Sequence, residues 1–483
     1  MIGKQRSFKV NYIFNTIYQL INVVAPLLTA PYISRVFTAT EIGKYSFINS
    51  IATYFVLFGG LGTITYGQLE IARVKGKSDQ ISKIFWSVLF TRLIAILLSA
   101  GLYVILSLNM DNEYHNLLYV HLIYIIAQIF DISWLLQGLE DFSTIAIRNI
   151  VVRILTVILV FCLVRTAKDI VTYAILMVGG VLVGNIALLR YPRSIIHVYK
   201  PKFVDISNVI KQSLPYFVPT IATSVYTVLD KTMLGFLSES ISQNGFYDQA
   251  HKIEQILVLV VTSLSTVLIP KMAFLFSEKR ISEINGILAK SLKYTIMISF
   301  PLTIGLFFLS SSFIPLFYGD GYEPCTNLLR IFCILIIIVG LDNVIGKQLL
   351  MPSGRQKQFN KGVIIGAFVN AVLNIALIPR FNAYGAAIAS VLAEITILLS
   401  FIIFTKRDFN YIVLAKESKN YLISSFVLIL CLVLCSRIQL EGVLKIIITT
   451  ISGISVYSIT LILLNDELFK KIMSSIIDKV IGR

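Results

Sequence analysis

Four basic side chains lie inside long apolar segments of this sequence, where a positive charge is costly. They are Arg92, Arg153, Lys231 and Lys271, and Arg35 ends a further segment of this kind. A cation at the centre of a bilayer costs roughly 2.5–3.5 kcal/mol on insertion scales. Such a side chain therefore tends to face the interior of a helix bundle or a water-filled cavity. Several of them in one chain indicate a polar cavity suited to an anionic ligand.

Acidic side chains lie in the same segments and have two readings. Asp131, Asp342 and Glu394 fall within apolar stretches, and Asp230 directly precedes Lys231. Such carboxyl groups carry protons or sodium in ion-coupled proteins, and they also pair with cations to lower the cost of insertion. Both readings remain open at this point. No His, Asp, Glu or Cys cluster has metal-ligand spacing, so the sequence predicts neither a metal site nor a bound cofactor.

The composition is that of an integral membrane protein. Of the 483 residues, 56% are hydrophobic and 14% are charged, whereas soluble domains carry about 25% charged residues. A formal net charge of +16 raises the question of nucleic-acid binding. No soluble stretch is long enough for such a domain, and the orientation of membrane segments explains the excess better. We therefore expect a lipid bilayer and no nucleic acid as a partner.

Apolar segments long enough to cross a bilayer, about 20 residues each, follow one another along the chain. This pattern predicts an all-α polytopic membrane protein with about 14 transmembrane helices. The segments lie near residues 12–35, 43–66, 84–107, 115–138, 147–165, 169–190, 212–237, 250–276, 291–317, 325–350, 360–379, 384–405, 420–437 and 442–464.

The lysines and arginines between these segments predict the orientation of the chain. If the N-terminus is cytoplasmic, the inside connections hold most of them, as at 73–83, 190–211 and 406–419. The outside connections hold few, which is the positive-inside pattern. Both termini are therefore predicted to be cytoplasmic. No connection is long enough for a soluble catalytic or nucleotide-binding domain, and no GxxxxGK[ST] phosphate loop is present.

The two halves of the chain resemble each other weakly. Gly43-Lys-Tyr45 before the second segment matches Gly245-Phe-Tyr247 before the eighth, at an offset of 202 residues. Six segments per half is an even number, so both halves would insert with the same orientation. Parallel repeats of this kind recur in secondary transporters, with the cargo bound between them. Chance similarity remains the alternative explanation.

Several short motifs resemble a known family in both order and spacing. The sequence reads SLPYFVP at 213–219, DKTMLG at 230–235, GFY at 245–247 and TVLIPK at 266–271. It also reads PLLTAPYISR at 26–35, GKYS at 43–46, NAVLN at 370–374, IPR at 378–380 and YGAA at 384–387. Across residues 8–405 the chain resembles the polysaccharide-transporter branch of the multidrug/oligosaccharidyl-lipid/polysaccharide (MOP) exporter superfamily, the Wzx-type flippases.

The resemblance implies a fold and an activity. The fold would have two pseudo-symmetric six-helix lobes, residues 1–200 and 201–410, around a central cavity, with two accessory helices and a cytoplasmic tail in 411–483. The activity would be the flipping of undecaprenyl-diphosphate-linked oligosaccharide units across the bacterial cytoplasmic membrane, by alternating access, for O-antigen, capsule or a similar polysaccharide. This would be a transporter and not an enzyme. A polymerase and chain-length machinery would be its protein partners.

These expectations give the intramembrane charges their roles. Lys and Arg suit a diphosphate, so Lys231, Lys271, Arg92, Arg153 and Arg35 are the predicted substrate-binding cations. If an ion gradient drives transport, the ion would be a proton or sodium. Asp230, Asp131, Asp342 and Glu394 would then carry it, or would pair with the cations.

Other functions fit the sequence less well. A lipid II flippase of the same superfamily is the nearest alternative. A drug/cation antiporter should have acidic rather than basic span interiors. A membrane polymerase or glycosyltransferase typically has a long external loop with catalytic residues, which this sequence lacks, and neither a channel nor a receptor explains the repeat and the intramembrane cations.

Overall fold

The protein is helical throughout the part of the chain that the computed structural model describes, residues 8–191, 195–438 and 442–481. Those ranges contain no β-strand. Ten of their helices are long and apolar enough to cross a membrane, or eleven if the bent pair Ser242–Ser263 and Val267–Ser277 is counted as one span. The predicted all-α, multi-pass membrane fold is confirmed.

The chain divides into two compact units, residues 1–245 and 246–483. The predicted lobes 1–200 and 201–410 describe internal symmetry, which this division by packing does not test, so they stay a prediction. The helices of unit 1 are α1 (Phe8–Val36), α2 (Ala39–Gly60), α3 (Thr63–Arg73), α4 (Ser78–Leu108), α5 (His115–Ala127), α6 (Ser133–Gly138), α7 (Phe142–Leu163), α8 (Ile170–Leu188) and α9 (Phe203–Leu237).

The boundary between the two units lies within the first turns of α10, and unit 2 holds the remaining helices. They are α10 (Ser242–Ser277), α11 (Ile281–Tyr318), α12 (Pro324–Asn343), α13 (Gln356–Thr405), α14 (Tyr411–Glu417), α15 (Lys419–Ser436), α16 (Gly442–Leu463) and α17 (Glu467–Ile481). A π-helix, Val344–Leu350, extends α12.

Each predicted span overlaps one of these helices, although the number of membrane crossings stays a prediction. The segments 360–379 and 384–405 both fall within α13, which kinks at Asn382, where φ is +50°. Only Gly, and less often Asn or Asp, adopts this left-handed conformation readily. The kink therefore separates the two predicted spans at the place where the hydropathy also falls.

Two of the predicted spans in unit 1 are broken inside the apolar stretch. The segment 43–66 is interrupted between α2 and α3 at Leu61 and Gly62, which both have positive φ. The segment 115–138 is interrupted between α5 and α6 by a 3-10 turn, Gln128–Phe130. Because lipid offers no hydrogen bonds, the backbone groups freed at such breaks must be satisfied by other parts of the protein.

The two short helices that follow these breaks, α3 and α6, pack against each other at close range. Trp134 on α6 is fully buried, and its ring lies over Gly67 on α3, where a Cβ would come within 2.5 Å of it. The ring also stacks on Phe85 of α4, with centroids 5.8 Å apart. These contacts hold both broken spans against α4.

The segment that precedes α9 is fastened along the first turns of α4. Ser78 Oγ donates to the carbonyl of Ile195 at 2.8 Å, and Trp86 Nε1 donates to the carbonyl of His197 at 2.9 Å. The amide of His197 donates in turn to Ser82 Oγ at 2.9 Å. The start of α9 is thus anchored to α4 within unit 1.

The first turns of α2 and α10 make a reciprocal contact through two glycines of unit 1. A Cβ on Gly43 would lie 2.0 Å from the carbonyl oxygen of Ile241, and a Cβ on Gly245 would lie 2.0 Å from that of Ala39. Both Gly43 to Gly245 and Ala39 to Ile241 are steps of 202 residues, the offset of the repeat seen in the sequence. The contact is therefore symmetric under the repeat, as an internal duplication would make it.

Gly43→Ala and Gly245→Ala are each expected to destabilise the protein, because the added methyl group would overlap a backbone oxygen that cannot rotate away. Overpacking of this kind costs about 1–3 kcal/mol. Melting temperatures of the purified variants measure the effect, with Gly101→Ala as the matched control, since a Cβ there meets nothing within 4 Å. Equal melting temperatures for all three variants would contradict the close approach.

Candidate functional site

Arg92 on α4 is buried in unit 1, with 1% of its surface exposed. Its Nη2 donates to the backbone carbonyl of Gln128 at 2.7 Å, and its Nη1 donates to Thr63 Oγ1 at 3.1 Å. Gln128 lies at the break between α5 and α6, and Thr63 is the first residue of α3. Arg92 therefore joins the two broken spans. Its Nε has no hydrogen-bond partner among the described residues.

Asn185 on α8 satisfies the neighbouring carbonyl at the same break. Its Nδ2 donates to the carbonyl of Ala127 at 2.9 Å, and its Oδ1 accepts from Arg148 Nη1 at 3.0 Å. Arg148 fits beside α8 because residue 184 is glycine, where a Cβ would come 3.0 Å from Nη1 of Arg148. Two arginines and one asparagine thus surround the interruption of the fourth predicted span.

Asp131 contributes to the same region as the acidic member. Its Oδ1 accepts from the backbone amide of Ser133 at 3.0 Å, at the start of α6. Its carboxylate interacts electrostatically with Arg92 and Arg148. The structure therefore brings together two of the sequence-predicted charges of unit 1, and the acid helps to offset the cost of the buried cations.

Arg153, another predicted cation of unit 1, keeps a side-chain donor that the described residues do not satisfy. It is half-buried on α7, and its buried Nε has no hydrogen-bond partner in the described chain. Arg153 lies five positions after Arg148 on the same helix, which packs against α1 and α8. A half-buried guanidinium with an unmet donor is suited to an anion that enters from outside the protein.

The other three predicted cations differ in their exposure and in their contacts. Arg35 is exposed at the end of α1, and its Nη1 donates to the carbonyl of Pro31 at 2.6 Å. Lys231 on α9 is half-buried beside the buried Asp230, and its carbonyl accepts from Asn244 Nδ2. Lys271 is exposed on α10, in unit 2. That these cations form one substrate site stays a prediction.

The predicted acids of unit 2 form a pair. Asp342 near the end of α12 is 9% exposed, and its carboxyl group lies next to that of Glu394 on α13. Two carboxylates that share a site with little solvent repel each other, and binding of a proton to one of them relieves this repulsion. The pair is therefore a candidate site for proton binding in unit 2.

Further charged groups surround this carboxyl pair. Glu254 on α10 is 3% exposed and interacts electrostatically with Glu394. His251 Nε2 lies 3.5 Å from Glu254 Oε2. Lys347, in the π-helix, interacts with Asp342. The pair thus belongs to a mixed cluster of acids and bases drawn from three helical segments.

A π-helix begins two residues after Asp342 and contains Lys347 of this cluster. Its wider turns shift the register of Val344–Leu350 relative to α12, and such bulges occur frequently at functional sites. Gln348 in this stretch is buried, and its Nε2 donates to Ser265 Oγ on α10 at 2.9 Å. No group of three or more His, Cys, Asp or Glu residues in the described chain is placed to hold a metal ion.

Asn185 is a contributor that the sequence did not single out, and Arg148 and Lys347 are weaker candidates in the sequence than the five predicted cations. A polar amide within the apolar segment 169–190 was the available signal for Asn185. For Arg148 and Lys347 the sequence shows a charge near a span end, which ordinarily means contact with headgroups. Their roles depend on the broken span and the π-helix, which hydropathy does not reveal.

The chain is similar in sequence to proteins of a known family. The profile of the family described as "Polysaccharide biosynthesis protein" matches residues 8–276, more than half of the chain. A protein of Escherichia coli (strain K12) described as an O-antigen transporter is 24% identical over 411 residues, covering 83% of this chain and 97% of that protein.

Two solved structures show the same fold. The lipid II flippase MurJ in an inward closed conformation superposes with a TM-score of 0.74 at 18% identity, covering 98% of this chain and 100% of the other. An inward-facing multidrug resistance MATE transporter of the MOP superfamily superposes with a TM-score of 0.56 at 13% identity, covering 82% and 99%. The chain belongs to the family described as "Polysaccharide biosynthesis protein".

Proposed function

We propose that this protein flips an oligosaccharide unit linked to undecaprenyl diphosphate across the bacterial cytoplasmic membrane, for assembly of a surface polysaccharide such as O-antigen or capsule. The observation that supports this best is the similarity to an O-antigen transporter along 97% of that protein's length. The family description points to the same process.

The chemistry of the cargo explains why basic residues within a membrane protein suit this task. The diphosphate and the sugars must pass the hydrocarbon layer, whereas the polyprenyl tail never has to leave it. A polar cavity for the head group lowers the barrier while the tail stays in the bilayer. Arginine binds phosphate oxygens through its planar fork of donors, and lysine binds them as a point charge.

Arg153 and Lys271 are the cations that we assign first to the diphosphate. Arg153 has a buried donor without a partner, and Lys271 is exposed on α10 directly after Pro270. Arg35 and Lys231 remain further candidates. Arg92 is assigned mainly to holding the broken spans of unit 1 together, because both of its terminal nitrogens bind structural acceptors.

Protons are the coupling ion that we propose, exchanged at the Asp342–Glu394 pair. The closeness of these carboxyl groups supports this, because their repulsion is relieved when one of them binds a proton. Sodium is the alternative coupling ion. Transport by alternating access would expose the pair to each side in turn.

The setting of the protein completes the proposal. We place it in the bacterial inner membrane with both termini in the cytoplasm, as the distribution of lysine and arginine predicts. A polymerase and chain-length machinery would receive the cargo on the outer side. The protein would act as a transporter without catalysing a covalent step.

Lipid II is the alternative cargo, and a polymerase or glycosyltransferase is the alternative class. The likeness to the lipid II flippase, at 18% identity, shows a shared fold and leaves the cargo open. The Escherichia coli relative, which aligns along 97% of its own length, is described as an O-antigen transporter. This description argues against lipid II as the cargo.

Deletion of the gene in its native host is expected to abolish the surface polysaccharide and to cause lipid-linked repeat units to accumulate on the cytoplasmic side. Cell-wall synthesis should continue, because lipid II would not be the cargo. The measurement is the amount and sidedness of lipid-linked oligosaccharide in membrane vesicles, with a plasmid copy of the gene as the restoring control.

Two outcomes would contradict the proposal. Arrested peptidoglycan synthesis with accumulated lipid II would assign the protein to the alternative cargo. Single repeat units that still reach the outer leaflet, without polymer, would assign it to the polymerase class.

A further inference from the structure

A polar cavity of about 430 Å³ lies in unit 2, away from the carboxyl pair and among the accessory helices. It is formed where the beginning of α11, the beginning of α15 and the turn between α16 and α17 meet. Lys290 and Lys293 line it from α11, Asn420 from α15, and Lys471 from α17. The matched family profile ends at residue 276, before any of these elements.

The cavity has a fixed wall, built around Asp466. This residue is 6% exposed, and its Oδ1 accepts from Tyr421 Oη at 3.2 Å and from the amide of Phe469 at 2.9 Å. Its Oδ2 accepts from Asn420 Nδ2 at 3.4 Å. These bonds tie the first turn of α17 to α15.

The charges of the lining residues favour an anion. Lys293 is neutralised by Glu417, at 2.5 Å, and Asp466 is occupied by the three donors described above. The ammonium groups of Lys290 and Lys471 have no ion pair or hydrogen bond within the described chain. Glu467 is the remaining acid of the lining without such a partner. The lining therefore contains two lysines and one carboxylate that have no ion pair or hydrogen bond within the described chain.

The surroundings of the cavity favour a lipid as the source of that anion. The cavity lies beside the first residue of α15 and the last residue of α16, at matching ends of two predicted spans. Leu422 and Phe426 on α15 are 50% and 62% exposed, and Ile459 and Leu463 on α16 are 54% and 76% exposed. Acyl chains can pack on these apolar faces while a head group occupies the polar cavity at their end.

We propose that this cavity binds the phosphate group of an anionic phospholipid, of the phosphatidylglycerol or cardiolipin type, through Lys290 and Lys471. Asn420 and Asn465 are placed on the lining to bond head-group hydroxyls. The predicted topology puts this end of the helices at the cytoplasmic leaflet. Basic pockets between membrane helices on that side commonly bind anionic head groups. The proposal is independent of the cargo.

The test is the binding of fluorescent phosphatidylglycerol to the purified full-length protein in a neutral detergent, with phosphatidylcholine as the uncharged comparison. The double variant Lys290→Gln/Lys471→Gln is expected to bind phosphatidylglycerol about tenfold more weakly or worse, since each lysine near a lipid surface contributes measurably. Lys416→Gln, on the exposed side of α14, is the matched control and should bind as the wild type does.

A second variant acts in the opposite direction. Glu467→Gln removes the competing carboxylate at an exposed position and is expected to tighten phosphatidylglycerol binding. This result stands even if the double lysine variant does not fold, which its melting curve would show. Unchanged binding in both variants would overturn the proposal. Displacement of phosphatidylglycerol by inorganic phosphate alone would assign the cavity to a soluble phosphate and overturn the lipid as its source.

Discussion

Replacing Arg92 with lysine is expected to lower the melting temperature of the purified protein almost as much as replacing it with methionine. Only the guanidinium can donate at once to Thr63 Oγ1 and to the carbonyl of Gln128. A lysine satisfies at most one of these acceptors at the same depth. Among the described residues, the carbonyl of Gln128 would keep only the amide of Asp131 as a donor, at 3.3 Å. Loss of a hydrogen bond from a charged donor costs about 1.5–3 kcal/mol, so both variants should lose roughly that amount of stability.

Comparison with another cation separates this structural role from a role in cargo binding. Lys271 is exposed and Arg92 is buried, so Lys271→Met should leave the melting temperature unchanged while it lowers complementation of a flippase-null strain. Arg153→Met should likewise lose transport with little loss of stability, because Arg153 has an unmet donor. Each variant is assayed for both melting temperature and surface polysaccharide.

The opposite pattern of results would assign Arg92 to cargo binding. If Arg92→Met folds and melts like the wild type but does not complement, and Arg92→Lys complements fully, then charge matters and the bridging geometry does not. Arg92 would then be a diphosphate ligand, as the sequence alone predicted.

The helical framework could be predicted from the sequence because it follows from the length and hydropathy of local segments. The segment 325–350 corresponds to Pro324–Leu350, and the fall in hydropathy near residue 382 corresponds to the kink of α13. The predicted segments agree with the observed helices because a backbone that crosses a bilayer must satisfy its own hydrogen bonds, as a helix does. The number of membrane crossings follows less directly, because length and composition do not say which broken helices cross completely.

The contacts of the charged residues could not be predicted in the same way. Arg92 and Asp342 were recognisable as unusual, but their partners lie far along the chain. The acceptor of Arg92 exists because α5 ends at Ala127, and the pairing of Asp342 with Glu394 depends on how α12 packs against α13. Trp134, at the end of an apolar segment, has the position of an interfacial anchor, yet it is fully buried over Gly67.

Asp342→Asn and Glu394→Gln are each expected to uncouple transport from the proton gradient. The amides keep the size and the hydrogen-bonding capacity of the acids but cannot exchange a proton at this site. One charge crossing 100 mV supplies about 2.3 kcal/mol, which corresponds to roughly 50-fold accumulation of cargo. Proton uptake by proteoliposomes, followed with a pH-sensitive dye during cargo flipping, should therefore disappear in both variants, and the accumulation ratio should fall towards one.

Asp320→Asn is the matched control, since this residue is an exposed acid of unit 2 outside the cluster and should retain full coupling. Replacing sodium with a large organic cation should leave the wild type unaffected if protons are the driving ion. Proton-coupled transport that persists in both Asp342→Asn and Glu394→Gln would remove the carboxyl pair from the transport cycle. Its function would then be structural, with the shared proton lowering the cost of placing two acids within a membrane-spanning unit.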